Sequence, residues 1–291
     1  MTVEQKATRA YGAQSMTAPL RDVVVNRPGA AFARGFEDPA VGFLHAVDLP
    51  LAQRQHDALC TVLSDLGVTV HDLGADGPSP DSVYTFDPML VSDRGAIALR
   101  SGKPNRQGEE EPLAAWATAR EIPLAGRIEG PGTVDGGDTF WLRLDLLCIG
   151  RSLRTNADGA DQLRALVDGQ VEVFDVPYAT GPGECLHLLS VISPVADDLA
   201  VVFLPQLPAG LYNLLAAHCV ALVPVEPEEM PTLGCNVLAV RPGVVVMAEG
   251  SPRTQRALLD RGCEVHTFPA SEIGVNGSGG PTCLTRPILR G

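Results

Sequence analysis

The 291-residue sequence predicts an α/β repeat fold of five similar units, and three observations predict it. A short β run, a polar turn and a second β run recur at Ser82 to Arg100, Asp138 to Gly150, Leu188 to Leu204 and Asn236 to Gly250. Helix-like stretches at Glu109 to Arg120, Asp158 to Val167, Ala209 to Cys219 and Pro252 to Gly262 lie between them. Each is followed by a short strand, such as Val171 to Val176 or Glu264 to Phe268. The third observation is that the two ends of the chain supply a fifth unit, Cys283 to Leu289 beside Leu20 to Asn26. Repeats of about 50 residues that mix strands with a helix indicate a propeller-like or solenoid array rather than a doubly wound sheet. A unit shared by both termini favours a closed ring, which leaves no exposed sheet edge.

In chain order, residues 1–16 are polar and unpatterned and are expected to be frayed, with residues 17–291 as one domain. Leu20 to Pro28 reads as a buried strand ended by proline. Gly29 to Asp48 has aromatics and glycines but no period, so it is read as a long loop of the kind that often covers a site. Leu51 to Leu66 has the apolar spacing of an amphipathic helix, and Val68 to Leu73 that of a strand.

Composition narrows the function. A hydrophobic share of 45% and a charged share of 20% are ordinary for a globular chain. A formal charge of −13 disfavours nucleic acid and anionic membranes, both polyanions that attract basic patches. Neither a leader-like apolar segment nor a membrane-length apolar run is present, so a cytoplasmic protein is expected, with a homodimer as a candidate assembly. Seven cysteines with no Cys-x-x-Cys pair argue against a disulfide framework and a zinc cluster.

Chemistry-bearing residues gather where the units begin. Asp81 and Asp87 flank a β-prone run at an even spacing that would put both on one strand face. Asp135-Gly136-Gly137-Asp138 joins two carboxylates by flexible backbone, Arg154 and Asn156 precede a helix, and His187 lies in an apolar run. Cys283 follows a Gly-Gly-Pro turn that can present a thiol to a cleft. Taken singly, each has a plain structural explanation: a turn, a helix cap, a core histidine, a packed thiol. Together, a cysteine, a histidine and a carboxylate opening units of one repeat form a nucleophile, acid–base and orienter set. Asp81 and Asp87 would hold a cation, Arg106 and Arg154 a carboxylate. Arginine and its derivatives have both groups.

The stretches Asp81-Ser-Val-Tyr-Thr-Phe86-Asp87-Pro, Asp135-Gly-Gly-Asp138, Gly150-Arg-Ser-Leu-Arg154-Thr-Asn, Cys185-Leu-His187-Leu and Gly279-Gly-Pro-Thr-Cys283-Leu-Thr-Arg-Pro resemble the guanidino-group-modifying superfamily. Within it they look like the dimethylarginine dimethylaminohydrolases. The resemblance implies a five-bladed α/β propeller of ββαβ repeats and catalysis by the cysteine without metal or cofactor. It implies Cys283 as nucleophile, His187 as general acid–base and Asp135 as its support. Asp81 and Asp87 would flank the guanidinium, Arg106 and Arg154 would meet the substrate carboxylate, and Phe86 would border the substituent pocket. Phe86 stands where many such enzymes have glutamate, and Leu189 where arginine deiminases usually have an aspartate for an unsubstituted nitrogen. The latter favours an N-substituted guanidine, hydrolysed to citrulline and an alkylamine through an S-alkylthiouronium. Alternatives are an arginine deiminase, an amidinotransferase, or a non-catalytic propeller that binds an arginine-like ligand.

Overall fold

The computed structural model describes residues 10–177, 181 and 187–291. The expectations for residues 1–9 and for Glu184, Cys185 and Leu186 lie outside the described residues. Among the described residues, fifteen strands form five three-stranded sheets, each with one antiparallel and one parallel pairing. The first sheet joins β1 (Leu20–Val25), β2 (Thr69–Asp72) and β15 (Arg286–Arg290) in the order β15-β1-β2. The second holds β3 (Met89–Ser92), β4 (Gly95–Ala98) and β5 (Leu124–Arg127), and the third β6 (Thr139–Arg143), β7 (Leu146–Arg151) and β8 (Gln170–Asp175). The fourth holds β9 (Ile192–Ala196), β10 (Leu199–Val202) and β11 (Ala221–Pro224), and the fifth β12 (Val237–Arg241), β13 (Val244–Ala248) and β14 (Glu264–Phe268).

Each parallel pairing needs a crossover, and a helix supplies it. These crossover helices are α2 (Leu49–Asp65), α3 (Glu110–Thr118), α4 (Ala157–Leu166), α5 (Ala209–Ala217) and α6 (Pro252–Leu259). Their starts are chemically marked: Asp48 accepts the Leu51 N–H ahead of α2, and Asn156 accepts the Gly159 N–H ahead of α4. The spans agree with the helix-like stretches of the sequence to within a few residues.

The two antiparallel strands of each sheet are mostly buried on both faces and carry near-continuous apolar runs, whereas the outer parallel strand is half exposed. Side chains alternate between two cores. In β1, Val23 and Val25 join Leu238 and Val246 of the fifth sheet, whereas Val24 joins Met89 and Val91 of the second. Leu90 and Ile97 meet Trp141 and Leu147 of the third sheet, Phe140 and Cys148 meet Ile192 and Val202 of the fourth, and Val195 and Val201 meet Val237 and Val245 of the fifth.

Several expectations need correction. Residues 10–16 are not frayed: Gly12 N donates to Ile288 O at 2.8 Å, Arg290 N donates to Gly12 O at 2.9 Å, and Ala13 is buried, so this segment runs beside β15. Cys283 does not belong to a strand; it lies in the turn before β15. Residues 29–48 are not featureless: a short helix α1 (Ala30–Ala33) opens them, and Phe32 packs edge-on against Phe43 with ring centres 5.1 Å apart. No helix among the described residues is long and apolar enough to cross a membrane.

Candidate active site

The site is built from the turns that precede the first strand of each sheet. Asp87 stands two residues before β3, Asp135 four before β6, His187 five before β9, Asn236 one before β12 and Cys283 three before β15. A tight turn before a strand fixes the backbone while leaving the side chain off the hydrogen-bonded ladder, where it can face a common centre.

Backbone bonds tie these turns together. Phe86 N donates to Cys283 O at 3.1 Å, and Gly136 N donates to Asp87 O at 2.9 Å. Gly137 N donates to Asp87 Oδ1 at 2.8 Å. Gly137 is required sterically, because a Cβ there would overlap His187 Nδ1. His187 Nε2 lies 3.2 Å from Asp135 Oδ2, so the ring donates through Nε2 to a carboxylate that only accepts. The same oxygen accepts Arg154 Nη1 at 3.0 Å, and Asp135 Oδ1 accepts Gly102 N at 3.1 Å. Burial alone would raise the Asp135 carboxyl, but the His187 hydrogen bond, with the charges of His187, Arg106 and Arg154, outweighs it and holds the group far below the usual carboxylate range. Asp87 is likewise held below its ordinary value, Arg106 and His187 overcoming burial.

The histidine turn has its own anchor. Asp138 Oδ1 accepts Leu188 N at 2.9 Å, Asp138 Oδ2 accepts Ser152 Oγ at 2.6 Å, and His187 N donates to Ser190 Oγ at 3.1 Å. Burial pushes the Asp138 carboxyl up to about 6. Asp138→Ala is expected to destabilise the protein by about 2–3 kcal/mol, since a buried N–H and a hydroxyl lose their acceptor. It should also lower kcat by loosening His187. Denaturant midpoints and steady-state kinetics check both effects.

Cys283 is partly buried beside the cluster that contains Phe43 and Tyr84. Burial and then the Asp87 charge push its thiol up to about 12, opposed by hydrogen bonds from Asn236 and the Gly280 backbone. The thiol is therefore almost wholly protonated at neutral pH, and a bound cation would favour the thiolate.

Arg106 and Phe86 lie elsewhere than their expected roles require, and the two aspartates are not arranged as predicted. Asp81 and Asp87 do not share a strand face: Pro80–Val83 is a single 3-10 turn and residues 85–88 form another turn. A cation nevertheless bridges them. Arg106 Nη1 lies 2.6 Å from Asp87 Oδ2 and Arg106 Nε 3.9 Å from Asp81 Oδ2, while Nε and Nη2 reach Glu109 Oε2 at 2.9 and 2.8 Å. Arg106 is 3% exposed and locked among three carboxylates, so it is not placed to receive a substrate carboxylate. Burial would lower its pKa, but Glu109, Asp87 and Asp81 hold it well above the usual value. Phe86, also 3% exposed, packs with Phe140, Leu188 and Leu189 in the core and carries the Arg286 guanidinium 3.7 Å above its ring. Its ring therefore does not border a substituent pocket.

Sequence reasoning missed Lys103, Glu109, Asn236 and Arg286. Lys103 Nζ donates to Asp81 Oδ2 at 2.7 Å and to Val41 O at 2.8 Å, tying the 29–48 segment to a site carboxylate. The Arg286 guanidinium donates to Phe86 O, and burial drops its pKa to about 9. Asn236 was legible, because it opens a unit as the other site residues do. The others lie in stretches without a periodic signal. Ligand atoms of Asp87, Asp135 and His187 lie within 4.8 Å of one another, a donor set that could hold a metal ion, but Arg106 and Arg154 already engage the two carboxylates. Four carboxylates, Asp81, Asp87, Glu109 and Asp135, face three side-chain cations, Lys103, Arg106 and Arg154. Arg286, whose guanidinium also lies in the field of Asp87, is a fourth buried cation beside this set.

The arginine deiminase family model matches residues 213–290. The chain is 30% identical over 249 residues to the N(G),N(G)-dimethylarginine dimethylaminohydrolase of Streptomyces coelicolor, covering 84% of this chain and 89% of that protein. It is 28% identical over 273 residues to the Pseudomonas aeruginosa enzyme of the same name, covering 91% and 98%. A cysteine-to-serine variant of the Pseudomonas aeruginosa enzyme, solved with citrulline, superposes with a TM-score of 0.76 at 25% identity over 92% of this chain and 99% of the other. The N-terminal domain of a cyanobacterial arginine dihydrolase superposes with a TM-score of 0.80 at 20% identity, over 92% and 97%, and shares the fold.

Proposed function

Because the chain belongs to the dimethylarginine dimethylaminohydrolase family, we propose that it hydrolyses an N-methylated arginine to citrulline and an alkylamine. The observation that carries this reading is the convergence of Cys283, His187, Asp135 and Asp87 from the turns of four different sheets into one hydrogen-bonded cluster. The guanidinium enters as a cation, since its pKa is above about 12. Its arrival offsets the Asp87 field that holds the Cys283 proton on. The Cys283 proton passes to His187, the thiolate attacks the guanidinium carbon, and the C–N bond to the substituted nitrogen breaks as His187 gives that proton to the leaving amine. Water, deprotonated by His187, attacks the S-alkylthiouronium carbon, the C–S bond breaks, and citrulline leaves with the thiol restored. Asp135, Arg154 and the Gly102 N–H hold the histidine ring through these proton transfers.

The preference for an N-substituted guanidine rests on the family; Leu189, buried with Phe86 in the apolar core, offers no contact to either substrate. Among the proposed substrate contacts, Asp81 and Asp87 remain beside the guanidinium and Arg154 at the substrate carboxylate. The arginine deiminase match over residues 213–290 supports a second reading, release of ammonia from arginine. Incubation of the purified protein with dimethylarginine and with arginine, followed by assay of citrulline, dimethylamine and ammonia, separates the two. Citrulline and dimethylamine from dimethylarginine are expected; ammonia from arginine alone would replace the first reading with the second.

The five sheets are, on this reading, the blades of a propeller around the site. Support comes from the order of the five cores, which link the first sheet to the second and so on to the fifth, and the fifth to the first.

A further inference from the structure

We infer that Asn236 is a further catalytic residue, whose side-chain amide fixes the Cys283 sulfur and donates a hydrogen bond to it when the sulfur carries charge. The inference rests on the reading of Cys283 as nucleophile and extends it to the fourth member of the repeat. Asn236 Nδ2 lies 3.2 Å from Cys283 Sγ, and Asn236 Oδ1 accepts the backbone N–H of Thr282 at 3.1 Å. The second bond decides the orientation of the first. An N–H must face the amide oxygen, so the NH2 group is turned towards the sulfur.

The amide is held from both sides. Asn236 directly precedes β12, and its own N–H donates to Leu233 O at 2.9 Å, so its Cα is set by the start of a sheet. On the opposite side, a Cβ at Gly280 would come within 2.6 Å of Asn236 Cγ, so the glycine before the nucleophile leaves the room this amide fills. The residue is only 9% exposed. Little rotamer freedom is left to lose when the sulfur becomes charged.

An N–H donor prefers a thiolate to a thiol, because a hydrogen bond to an ionised acceptor is roughly twice as strong. Burial and Asp87 both favour the protonated thiol here, and the Asn236 amide opposes them. The same N–H faces the sulfur as the C–S bond breaks and citrulline departs, when negative charge returns to that atom. Asn236 therefore does at the sulfur what Asp135 does at the histidine: it sets the position and favours the charged form.

The test uses the full-length protein without substrate, so it does not depend on turnover. Alkylation of Cys283 by iodoacetamide, followed by mass spectrometry of the Cys283 peptide, is measured between about pH 7 and 11 for the wild type, Asn236→Ala and Asn236→Asp. Asn236→Asp retains an acceptor for the Thr282 N–H but removes the donor and adds a charge. At fixed pH, a rate about tenfold lower is expected for Asn236→Ala, corresponding to one pH unit in thiolate fraction. A larger drop is expected for Asn236→Asp. Profiles of both variants that superimpose on the wild type overturn the inference, as does a lowered melting temperature with an unchanged profile, which would assign the amide to packing alone. Should one variant fail to fold, the other decides. Failure of the nucleophile reading appears separately, as turnover retained by Cys283→Ser.

Discussion

Cys283→Ser is expected to lower turnover by at least about 10³-fold while leaving the fold intact, because the reaction needs a sulfur that can both attack and leave. Serine differs by one atom and keeps an acceptor for the Asn236 amide, so the turn between Gly280 and Thr285 loses no hydrogen-bonding partner. An alcohol is ionised with far more difficulty than a thiol, and the Asp87 field opposes ionisation of either. The expected pattern is thus a large fall in kcat with a melting temperature close to that of the wild type. In the wild type stalled with substrate, mass spectrometry should find the adduct on the peptide carrying Cys283. Turnover retained by the serine variant would remove Cys283 from the mechanism.

Arg106→Ala is expected to act first on stability. Its guanidinium is the shared partner of Asp87 and Glu109 and lies within 3.9 Å of Asp81, and all four residues are buried. Removing one partner from a buried ionic cluster typically costs about 3–5 kcal/mol, because the remaining charges have neither water nor a counterion. The pH dependence has a definite sign. In the wild type the Asp87 carboxyl is held below its unfolded value, so its stabilisation is present above about pH 4 and is lost as the pH falls further. Without Arg106, burial dominates: the folded-state value of Asp87 rises above the unfolded one and that of Glu109, already raised by burial, rises further, so the variant loses stability as the pH rises through them. The difference between the two proteins is therefore expected to be large at pH 7 and smaller near pH 4–5, as read from urea midpoints. A substrate-carboxylate role for Arg106 predicts the opposite pattern, a raised KM with an unchanged midpoint.

How far the sequence could be read depends on whether a feature is local. The ββ pairs and the four crossover helices that separate them were legible because both leave short-range signals, near-continuous apolar runs for strands buried on both faces and a 3.6 period for the amphipathic helices. Cys283 and His187 were legible by kind and by place, each opening a repeat unit, and Asp135 by the Gly-Gly step that follows it. The roles of Arg106 and Phe86 were not. Nothing in Lys103-Pro-Asn-Arg106 says that the guanidinium turns inward to Glu109 and Asp87. Phe86, one residue before a site carboxylate, points into the apolar core, with Arg286 from the other end of the chain stacked on it.

By itself, then, the sequence determined the repeat, the residue types that open each unit, and hence the class of chemistry, because these depend on spacing along the chain and on intrinsic nucleophilicity and basicity. Only the tertiary structure decided which charges neutralise one another. Lys103 meets Asp81, Arg106 meets Asp87 and Glu109, and Asp135 joins His187 to Arg154. It also decided that the fourth unit contributes Asn236 to the sulfur of the fifth. The physical reason is that Coulomb and hydrogen-bond energies depend on distances of a few ångströms between turns far apart in sequence, and those distances are set by how the sheets pack rather than by any local pattern.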